Sequence, residues 1–433
     1  MSHYQNLPDG WIEIKVGELA KIITDFVASG SFSSLRENVK YYDTLNYAIL
    51  VRTKDFQNNF TDGLVYTDKH GYEFLSNSNL YGGELILPNI GASIGKVFIV
   101  PVLKQPMTLA PNTIMVKCWD EITIKWLYFF FMSSYGQEAL KEISSSTAQG
   151  KFNKTDFRNI VVPLPSLSEQ ERIICQIQSF DSIITSVETN RRILSEFIIT
   201  TKSKILELAM QGKLVPQDPT DEPAAEMLKR INPKAMIITD NPHSGNMPNG
   251  WCLCELRDLC TFLSRGKSPK YSDIPNQYPV FAQKCNLKDG GISLNQARFL
   301  DESTLPKWPN KYKLKDQDIL VNSTGTGTVG RTRLFLNKYL KEFPFVLPDS
   351  HVSVVRTFDE IDSNFIYFNL ISREGQTYFS DNLSGSTNQK ELYIEVIGNK
   401  LIFLPPEKEQ KRIVTKIEEL YSCLDKIETS LQS

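Results

Sequence analysis

Leu164-Pro165-Ser166-Leu167-Ser168-Glu169-Gln170-Glu171-Arg172-Ile173 begins the longest uninterrupted pattern in the chain, which runs on to Gly212. Ser168 followed by Glu171 has the form of a capping box, in which the two side chains satisfy amides left unpaired at a helix start. The preceding prolines block an earlier start, because a residue before proline is pushed out of the α region. Behind the cap, Ile173, Ile177, Phe180, Ile184, Val187, Arg191, Leu194, Ile198, Thr201, Ile205 and Leu208 recur at steps of four and three. That is a heptad seam in which only Arg191 and Thr201 are polar. No proline or glycine interrupts it before Gly212, a natural stop. The predicted helix is roughly 65 Å long, far beyond an ordinary globular helix. Such an arm needs a partner along its seam.

The chain contains a candidate. Leu404-Pro405-Pro406-Glu407-Lys408-Glu409-Gln410-Lys411-Arg412-Ile413 repeats the opening, and its seam is Ile413, Ile417, Leu420, Leu424, Ile427 and Leu431. Each of these lies 240 positions after a seam residue of the first helix. An amphipathic helix docking on its own domain would also carry an apolar stripe, but identical register at both places favours a duplicated coiled-coil element. Other anchors repeat at nearly the same spacing. Asn246-Met247-Pro248-Asn249-Gly250-Trp251 matches Asn6-Leu7-Pro8-Asp9-Gly10-Trp11. Asp318-Ile319-Leu320 answers Glu84-Leu85-Ile86, and Thr328-Val329-Gly330-Arg331 answers Ser93-Ile94-Gly95-Lys96. Phe365-Ile366-Tyr367, Ser372 and Gly375-Gln376 answer Trp126-Leu127-Tyr128, Ser133 and Gly136-Gln137, and Ser386-Thr387 falls opposite Ser146-Thr147. Between the anchors the copies share almost nothing, which is the pattern of a common scaffold with divergent loops, where binding function usually resides.

Residues 1–165 read as an α+β domain with a β-dominated core. A strand is expected over Ile12–Val16, a short helix around Gly17–Ile23, and strands flanking the loop 89–95. One good helix is expected over Glu121–Leu140, then a small polar loop (144–151) and a last strand into Pro163. Residues 166–212 form the central helix. The connector 213–247, broken by Pro216, Pro219, Pro223, Pro233 and Pro242, has room for one short helix near Ala224–Ile231. Residues 248–405 make the second domain and 406–433 the C-terminal helix.

Composition excludes several classes. No apolar run reaches membrane-spanning length, Trp126–Met132 being the densest, and the first residues lack a signal peptide's basic-then-apolar form. Seven scattered cysteines without paired spacing argue against a disulfide framework or a zinc site, so the expected compartment is reducing and cytoplasmic; Cys252 and Cys254 read as core residues of one strand. Pro8-Asp9 with Glu13-x-Lys15 superficially resembles a nuclease constellation. Its acids lie too close together to converge on a metal from separate strands, and the second copy has Leu253 and Glu255 there. Asn241-Pro242-His243 and Asn232-Pro233-Lys234 lack the second proline and aromatic of an amine-methylating motif. Gly325-Thr326-Gly327 precedes a strand, and no phosphate-binding Gly-Lys-Thr/Ser loop occurs. No catalytic or metal residues are expected.

The duplicated order of variable domain, proline, Glu-Gln-x-Arg-Ile and long helix resembles the specificity subunit of type I restriction–modification systems, over essentially the whole chain. The resemblance implies two β-rich target-recognition domains, separated by long antiparallel coiled-coil helices with pseudo-twofold symmetry, each reading one half of a split double-stranded DNA site. It implies a non-catalytic chain that scaffolds two modification (methyltransferase) subunits and restriction (motor and nuclease) subunits. S-adenosylmethionine, ATP and Mg would then be bound by those partners. The helix frame and its subunit contacts would involve Glu169, Gln170, Arg172, Ile173, Ile177 and Ile184, and equivalently Glu409, Gln410, Arg412, Ile413, Ile417 and Leu424. The second helix reaches Ser433 after about twenty-six residues. The far part of the first is thus left for a partner subunit to cover, or the chain is a shortened form.

Charge bears on how DNA would be gripped. Residues 1–165 carry 15 Lys/Arg against 16 Asp/Glu, and residues 246–405 carry 19 against 17. A protein holding duplex DNA alone usually has a strong basic excess. Near balance suggests that this chain reads bases while partners add grip. The candidate contacts are local clusters: Ser29, Gly30, Ser31, Arg36 and Lys40 in the first domain; Arg265, Lys267, Lys270, Lys307, Lys311, Lys313, Arg331 and Arg333 in the second. Arginine can bond guanine bidentately, whereas lysine and serine more often position phosphates. A coiled-coil adaptor that assembles proteins without touching bases is the alternative reading.

Overall fold

The computed structural model describes residue 4 and residues 7–144, 150–239, 247–385 and 390–432 of the chain. Asn6, Asn246, Asn241-Pro242-His243 and the Ser146-Thr147 and Ser386-Thr387 correspondence lie outside the described residues. The chain forms two units, Met1–Val187 and Glu188–Ser433, divided within one long helix.

In the first unit, β1 (Ile12–Lys15) pairs antiparallel with β10 (Val161–Leu164), Ile12 opposite Leu164. A four-stranded antiparallel sheet has the order β2 (Ala20–Asp25), β9 (Thr113–Cys118), β6 (Leu85–Pro88), β7 (Phe98–Ile99). A second has the order β4 (Tyr66–Thr67), β3 (Ala48–Val51), β8 (Met107–Leu109), β5 (Asn79–Leu80), with β3 and β8 parallel. The helices are α1 (Val16–Leu19), α2 (Phe32–Asn38), α3 (Lys69–Phe74), α4 (Glu121–Met132), α5 (Ser134–Glu142) and α6 (Lys154–Arg158). Alternation along β6 and β9 explains their unbroken apolar sequences. Leu85, Leu87, Ile114 and Val116 face the helices through Leu127, Phe131 and Phe157, while Ile86 and Met115 face the other sheet through Ile49, Val51 and Leu109.

The second unit repeats this order in its ribbon and main sheet, and its smaller sheet has three strands among the described residues in place of four. β11 (Cys252–Glu255) pairs with β19 (Leu401–Leu404), and the main sheet runs β12 (Cys260–Arg265), β18 (Val352–Thr357), β15 (Ile319–Asn322), β16 (Thr332–Leu334). β13 (Pro279–Phe281) lies between β14 (Arg298–Phe299) and a parallel β17 (Leu347–Pro348). Ile319, Val321 and Val355 point to the helical side, and Leu320, Val352 and Val354 to the other. The long helix α7 (Leu167–Met210) straddles the division between units. The second unit adds α8 (Ala224–Ile231), α9 (Ser363–Ile371), α10 (Arg373–Asp381), α11 (Ile394–Gly398) and α12 (Glu407–Gln432). Among the described residues no helix is long and apolar enough to cross a membrane.

Three expectations need correction. The helix expected over Gly17–Ile23 is a single turn, α1, because the β-branched run Ile22-Ile23-Thr24 pairs along β9. α7 begins at Leu167, so Ser168 sits inside the first turn; the carbonyl of Ser166 takes the amides of Glu169 and Gln170 instead. The helix expected over Glu121–Leu140 is two helices broken at Ser133.

That break explains the repeated Ser-x-x-Gly-Gln anchor. Ser133 Oγ accepts from the amide of Gly136, and Ser372 Oγ from that of Gly375. Gln137 Nε2 then donates to the carbonyls of Phe131 (2.6 Å) and Gly95 (2.7 Å), and Gln376 Nε2 to those of Leu370 (2.8 Å) and Gly330 (3.3 Å). Gly95 and Gly330, at φ +95° and +81°, are the turn glycines of the other repeated anchor. The two repeated anchors within each copy are thus one contact.

Within the second unit α7 and α12 run antiparallel. Lys202 Nζ meets Asp425 Oδ1 at 2.6 Å, whereas the following connector reaches the start of α12, where Arg412 meets Asp221 at 2.7 Å. The heptad seam is accordingly buried at Ile198, Ile205, Ile413 and Ile417. Phe180 (56% exposed), Ile184 (55%) and Val187 (60%) in the first unit, and Phe197 (63%) in the second, are uncovered. An added Cβ at Gly375 would overlap the carbonyls of Asn369 and Leu370, which are backbone and cannot swing aside. Gly375→Ala should therefore destabilise the second unit by about 1–3 kcal/mol; an unchanged thermal midpoint in scanning calorimetry would contradict a rigid helix break.

Candidate nucleic-acid interface

Both candidate basic segments leave the same end of the same edge strand, β2 in the first unit and β12 in the second. The ion pair at that strand end has exchanged polarity between copies. Asp25 takes Lys154 Nζ at 2.8 Å, while Arg265 donates to Glu391 and to the carbonyl of Ser350. Arg265, a predicted contact, is thus tied into the scaffold.

Beyond it Gly266 passes against the carbonyls of Pro348 and Asp349 so closely that a Cβ would not fit. This turns the chain so that Lys267 Nζ donates to the carbonyl of Lys307 (3.0 Å) and lies 5.2 Å from the centre of the Tyr312 ring. Lys311 Nζ is 5.9 Å from that ring, and Lys313 Nζ is 4.2 Å from the Phe345 ring. Tyr312 is packed edge-on against Phe262 and Trp308, which fixes its plane. Arg356 holds the lysine segment in place. Its guanidinium bonds both oxygens of buried Asp318 at 2.7 Å and donates to the carbonyls of Lys311 (3.0 Å) and Lys313 (2.9 Å). Burial raises the Asp318 carboxyl above its ordinary value, opposed by the Arg356 bonds.

The remaining predicted residues divide by chemistry. Lys270 is paired with Asp301, whose carboxyl it holds down to about 2. Arg331 donates to the carbonyl of Asn286 (2.8 Å) and Arg333 to those of Leu287 (2.7 Å) and Thr332 (2.8 Å), clamping the loop at 286–288 onto β16. Lys267 and Lys311 share the Tyr312 ring, Lys307 and Lys313 lie on the same segment as Lys311, and among the described residues no ion pair involves any of the four. Arg356 and Tyr312, which organise this cluster, were absent from the predicted set. Arg356 could have been found only by pairing it with Asp318, 38 residues away.

In the first unit Ser31 caps α2 by accepting from the amide of Ser34, and Leu35 anchors that helix in a core with Phe26, Leu50 and Leu75. Arg36 and Lys40 are left exposed beside Phe32, itself 81% exposed. Ser29 is half-buried, and Gly30, at φ +159°, donates its amide to the carbonyl of Val27 at the end of the preceding turn. Lys40 faces Asp68, whose carboxyl is held below its usual value by the Gly71 amide, with smaller help from Tyr42 and Lys40. Two cation–aromatic pairs had no sequence signal: Lys117 over Tyr81 (4.6 Å) and Lys21 over Trp119 (5.2 Å).

At the helix starts the predicted frame residues separate in role. Gln170 Nε2 donates to the carbonyl of Pro165 (3.0 Å) and Gln410 Nε2 to that of Pro405 (2.9 Å), and both side chains are buried. Glu409 is buried under Gln217, and burial raises its carboxyl against the hydrogen bond from Gln217. Arg412 is engaged by Asp221, whereas Arg172 is exposed and Glu169 half-buried. Ile173, Ile177 and Leu424 are half-buried, Ile184 is exposed, and Ile413 and Ile417 are in the core.

The family description "Type I restriction modification DNA specificity domain" matches residues 8–195 and 248–433. The type I restriction enzyme MjaVIII specificity subunit of Methanocaldococcus jannaschii is 23% identical over 428 residues, covering 98% of this chain and 89% of the relative. The EcoKI specificity subunit of Escherichia coli is 22% identical over 436 residues, covering 99% and 85%. The EcoEI specificity subunit of Escherichia coli is 23% identical over 351 residues, a match spanning 67% of this chain but only 58% of the relative's length. Among solved structures, the HsdS subunit from Thermoanaerobacter tengcongensis superposes with a TM-score of 0.56 at 17% identity, over 99% of this chain and 95% of that one. A chain from a structure of complex assembly and conformational transition of the type I R-M system gives 0.58 at 18% identity, over 99% and 94%. At such identities the likeness is one of fold.

Proposed function

The chain belongs to the type I restriction–modification DNA specificity family, and we propose that it reads a bipartite double-stranded DNA target, one half-site per unit, without catalysing a reaction itself. The observation that carries this reading is the pair of units with one strand order and different basic loops at the same strand end. A scaffold repeated twice with its loops changed suits two independent readers of unlike sequences. Lys267, Lys307, Lys311 and Lys313 would set the second unit on the phosphates, with Arg36 and Lys40 in the same role in the first. The fixed aromatic plane of Tyr312 would support the lysine ammonium groups rather than read bases.

Partner subunits complete the proposal. Two modification subunits would dock on the helix frame, where the uncovered seam residues Phe180, Ile184 and Val187 lie, and restriction subunits would join them. S-adenosylmethionine, ATP and Mg would be held by those partners. Native mass spectrometry of the co-expressed complex should give two modification subunits per chain, and a one-to-one complex would contradict it.

Exchanging residues 248–400 for the second domain of a relative should change one half of the methylated site and leave the other intact; methylation mapping in which both halves change would overturn independent reading. Replacing Lys311 and Lys313 together by alanine should weaken DNA binding at physiological salt. The slope of log K against log salt should become shallower by about 2, near 0.9 per lost phosphate contact. An unaltered slope in a fluorescence titration would remove these lysines from the interface.

A further inference from the structure

Arg265, Arg331, Arg333 and Arg356 are all held by carbonyls or carboxylates of the scaffold. Base reading in the second unit would then fall to uncharged side chains, and one cluster has the form for it. Gln283, Thr324 and His351 come from three separate loops: the turn after β13, the turn after β15 and the residue before β18. Thr324 Oγ1 lies 2.8 Å from His351 Nδ1 and 3.3 Å from Gln283 Oε1. His351 is exposed and the other two are half-buried. The cluster adjoins the basic segment, because the amide of Gly266 donates to the carbonyl of Val352 and the backbone of Lys267 pairs with that of Asp349.

The backbone under each of the three is pinned. Asn322 Nδ2 donates to the carbonyl of Gln283 (3.1 Å), Asp349 accepts from the amide of His351 (2.8 Å), and the amide of Ser323 donates to the carbonyl of His351 (2.8 Å). Asn322, Ser323 and Asp349 are buried. Gly325, at φ +103°, leaves beside the Gln283 amide the space that a Cβ would fill. The fold does not require this polar floor. Strand register sets Pro88 and Ile114 of the first unit where the second has Asn322 and Ser353. The amide of Asn89 meets the carbonyl of Asn112 as that of Ser323 meets His351, so Ile90 stands in the place of Thr324. The first unit lacks the set, as suits a reader of an unlike sequence.

The Thr324 hydroxyl has one proton to give. If it goes to Gln283 Oε1, the hydroxyl accepts from His351 Nδ1–H, leaving the Gln283 amide nitrogen as a donor and His351 Nε2 as a bare acceptor. If it goes to His351 Nδ1, the amide turns over to donate to Thr324, and what remains is His351 Nε2–H and the amide oxygen of Gln283. Either way a neutral imidazole leaves one donor and one acceptor, and among the described residues neither is taken. Adenine is the base whose own major-groove edge offers the complement, an N7 acceptor beside an N6 donor, whereas guanine offers two acceptors. We propose that Gln283 and His351, locked together through Thr324, read an adenine in the major groove of the second unit's half-site. This rests on the reading of the chain as a bipartite DNA reader.

The test is selection from duplexes with randomised positions by the full chain co-expressed with its modification subunits, read by sequencing. The second unit's half-site is the one that changes when residues 248–400 are exchanged. Wild type should prefer adenine at one position of it by about tenfold or more, the usual discrimination of a bidentate contact. Thr324→Val, which keeps the branched shape and removes the hydroxyl, and His351→Leu should each cut that preference to about twofold or less. Every other position, in both halves, should stay as it was. Placing 7-deazaadenine at each adenine of that half-site in turn should weaken wild-type binding about tenfold at the same position, a measurement that stands even where a variant misfolds. The Gln283→Ala, His351→Leu double variant should be indifferent to the analogue there. If no bipartite sequence is enriched, the reading of the chain as a DNA reader fails and this inference with it. An enriched sequence that the variants read as wild type does, a G·C pair at the relaxed position, or wild-type indifference to 7-deazaadenine throughout would overturn this inference alone.

Discussion

Gln376 donates from one amide nitrogen to the last turn of α9 and to the glycine turn between β15 and β16, and Gln137 does the same between α4 and the β6–β7 turn. This double donation is possible only because Ser133 and Ser372 stop the first helix and start the next, freeing carbonyls that an unbroken helix would have used. It fixes the helical layer on the main sheet in one register. With that layer set, β6 and β9, or β15 and β18, are buried on both faces, and the second sheet has a fixed floor to pack on. The loops at the strand ends take no part in the contact, so they are free to differ between copies.

The basic residues of the second unit sort by the geometry of their head groups. A guanidinium offers five donors in a plane and can hold several carbonyls at once, so Arg331, Arg333 and Arg356 are used to pin loops. An ammonium on a flexible stem does this poorly, and Lys311 and Lys313 are left with their charges beside aromatic rings on a backbone that Arg356 has immobilised. The exchanged polarity of Asp25–Lys154 and Arg265–Glu391 shows the same economy: the strand end needs an ion pair, and either order satisfies it.

Much of this was legible in the sequence because duplication marks what the scaffold requires. The Ser-x-x-Gly-Gln and glycine-turn anchors stood out as separate repeats, although only the structure reveals that they touch. The seam of α7 was readable from its period, and so were the strands at Ile12–Val16 and before Pro163, though not that they pair. The break at Ser133 was hidden, because the aromatic run before it and the helix-compatible residues after it read as one helix, and a serine cap carries little weight against them. β2 was missed because a single helical turn precedes it and blurs the two periods. The predicted arginine contacts misled for a different reason. Charge is visible in a sequence, but whether a distant carbonyl or carboxylate consumes it is not, as Arg265 and Glu391 show across 126 positions.

The ribbons β1–β10 and β11–β19 bring the entry and exit of each unit side by side, joining Ile12 to Leu164 and Cys252 to Leu404. Both ribbons close a loop of the same 152 positions, 12 to 164 and 252 to 404. Closing a loop of that size is entropically slow, and contacts so distant in sequence place these units among slow folders. On a ribosome the first unit cannot seal until its last strand has emerged, by which time α7 is next in line. The long helix is thus synthesised onto a unit that has just closed, and its apolar seam is exposed in the nascent chain well before α12 exists. Synthesis order alone leaves that seam open to another protein before its partner within the chain has been made.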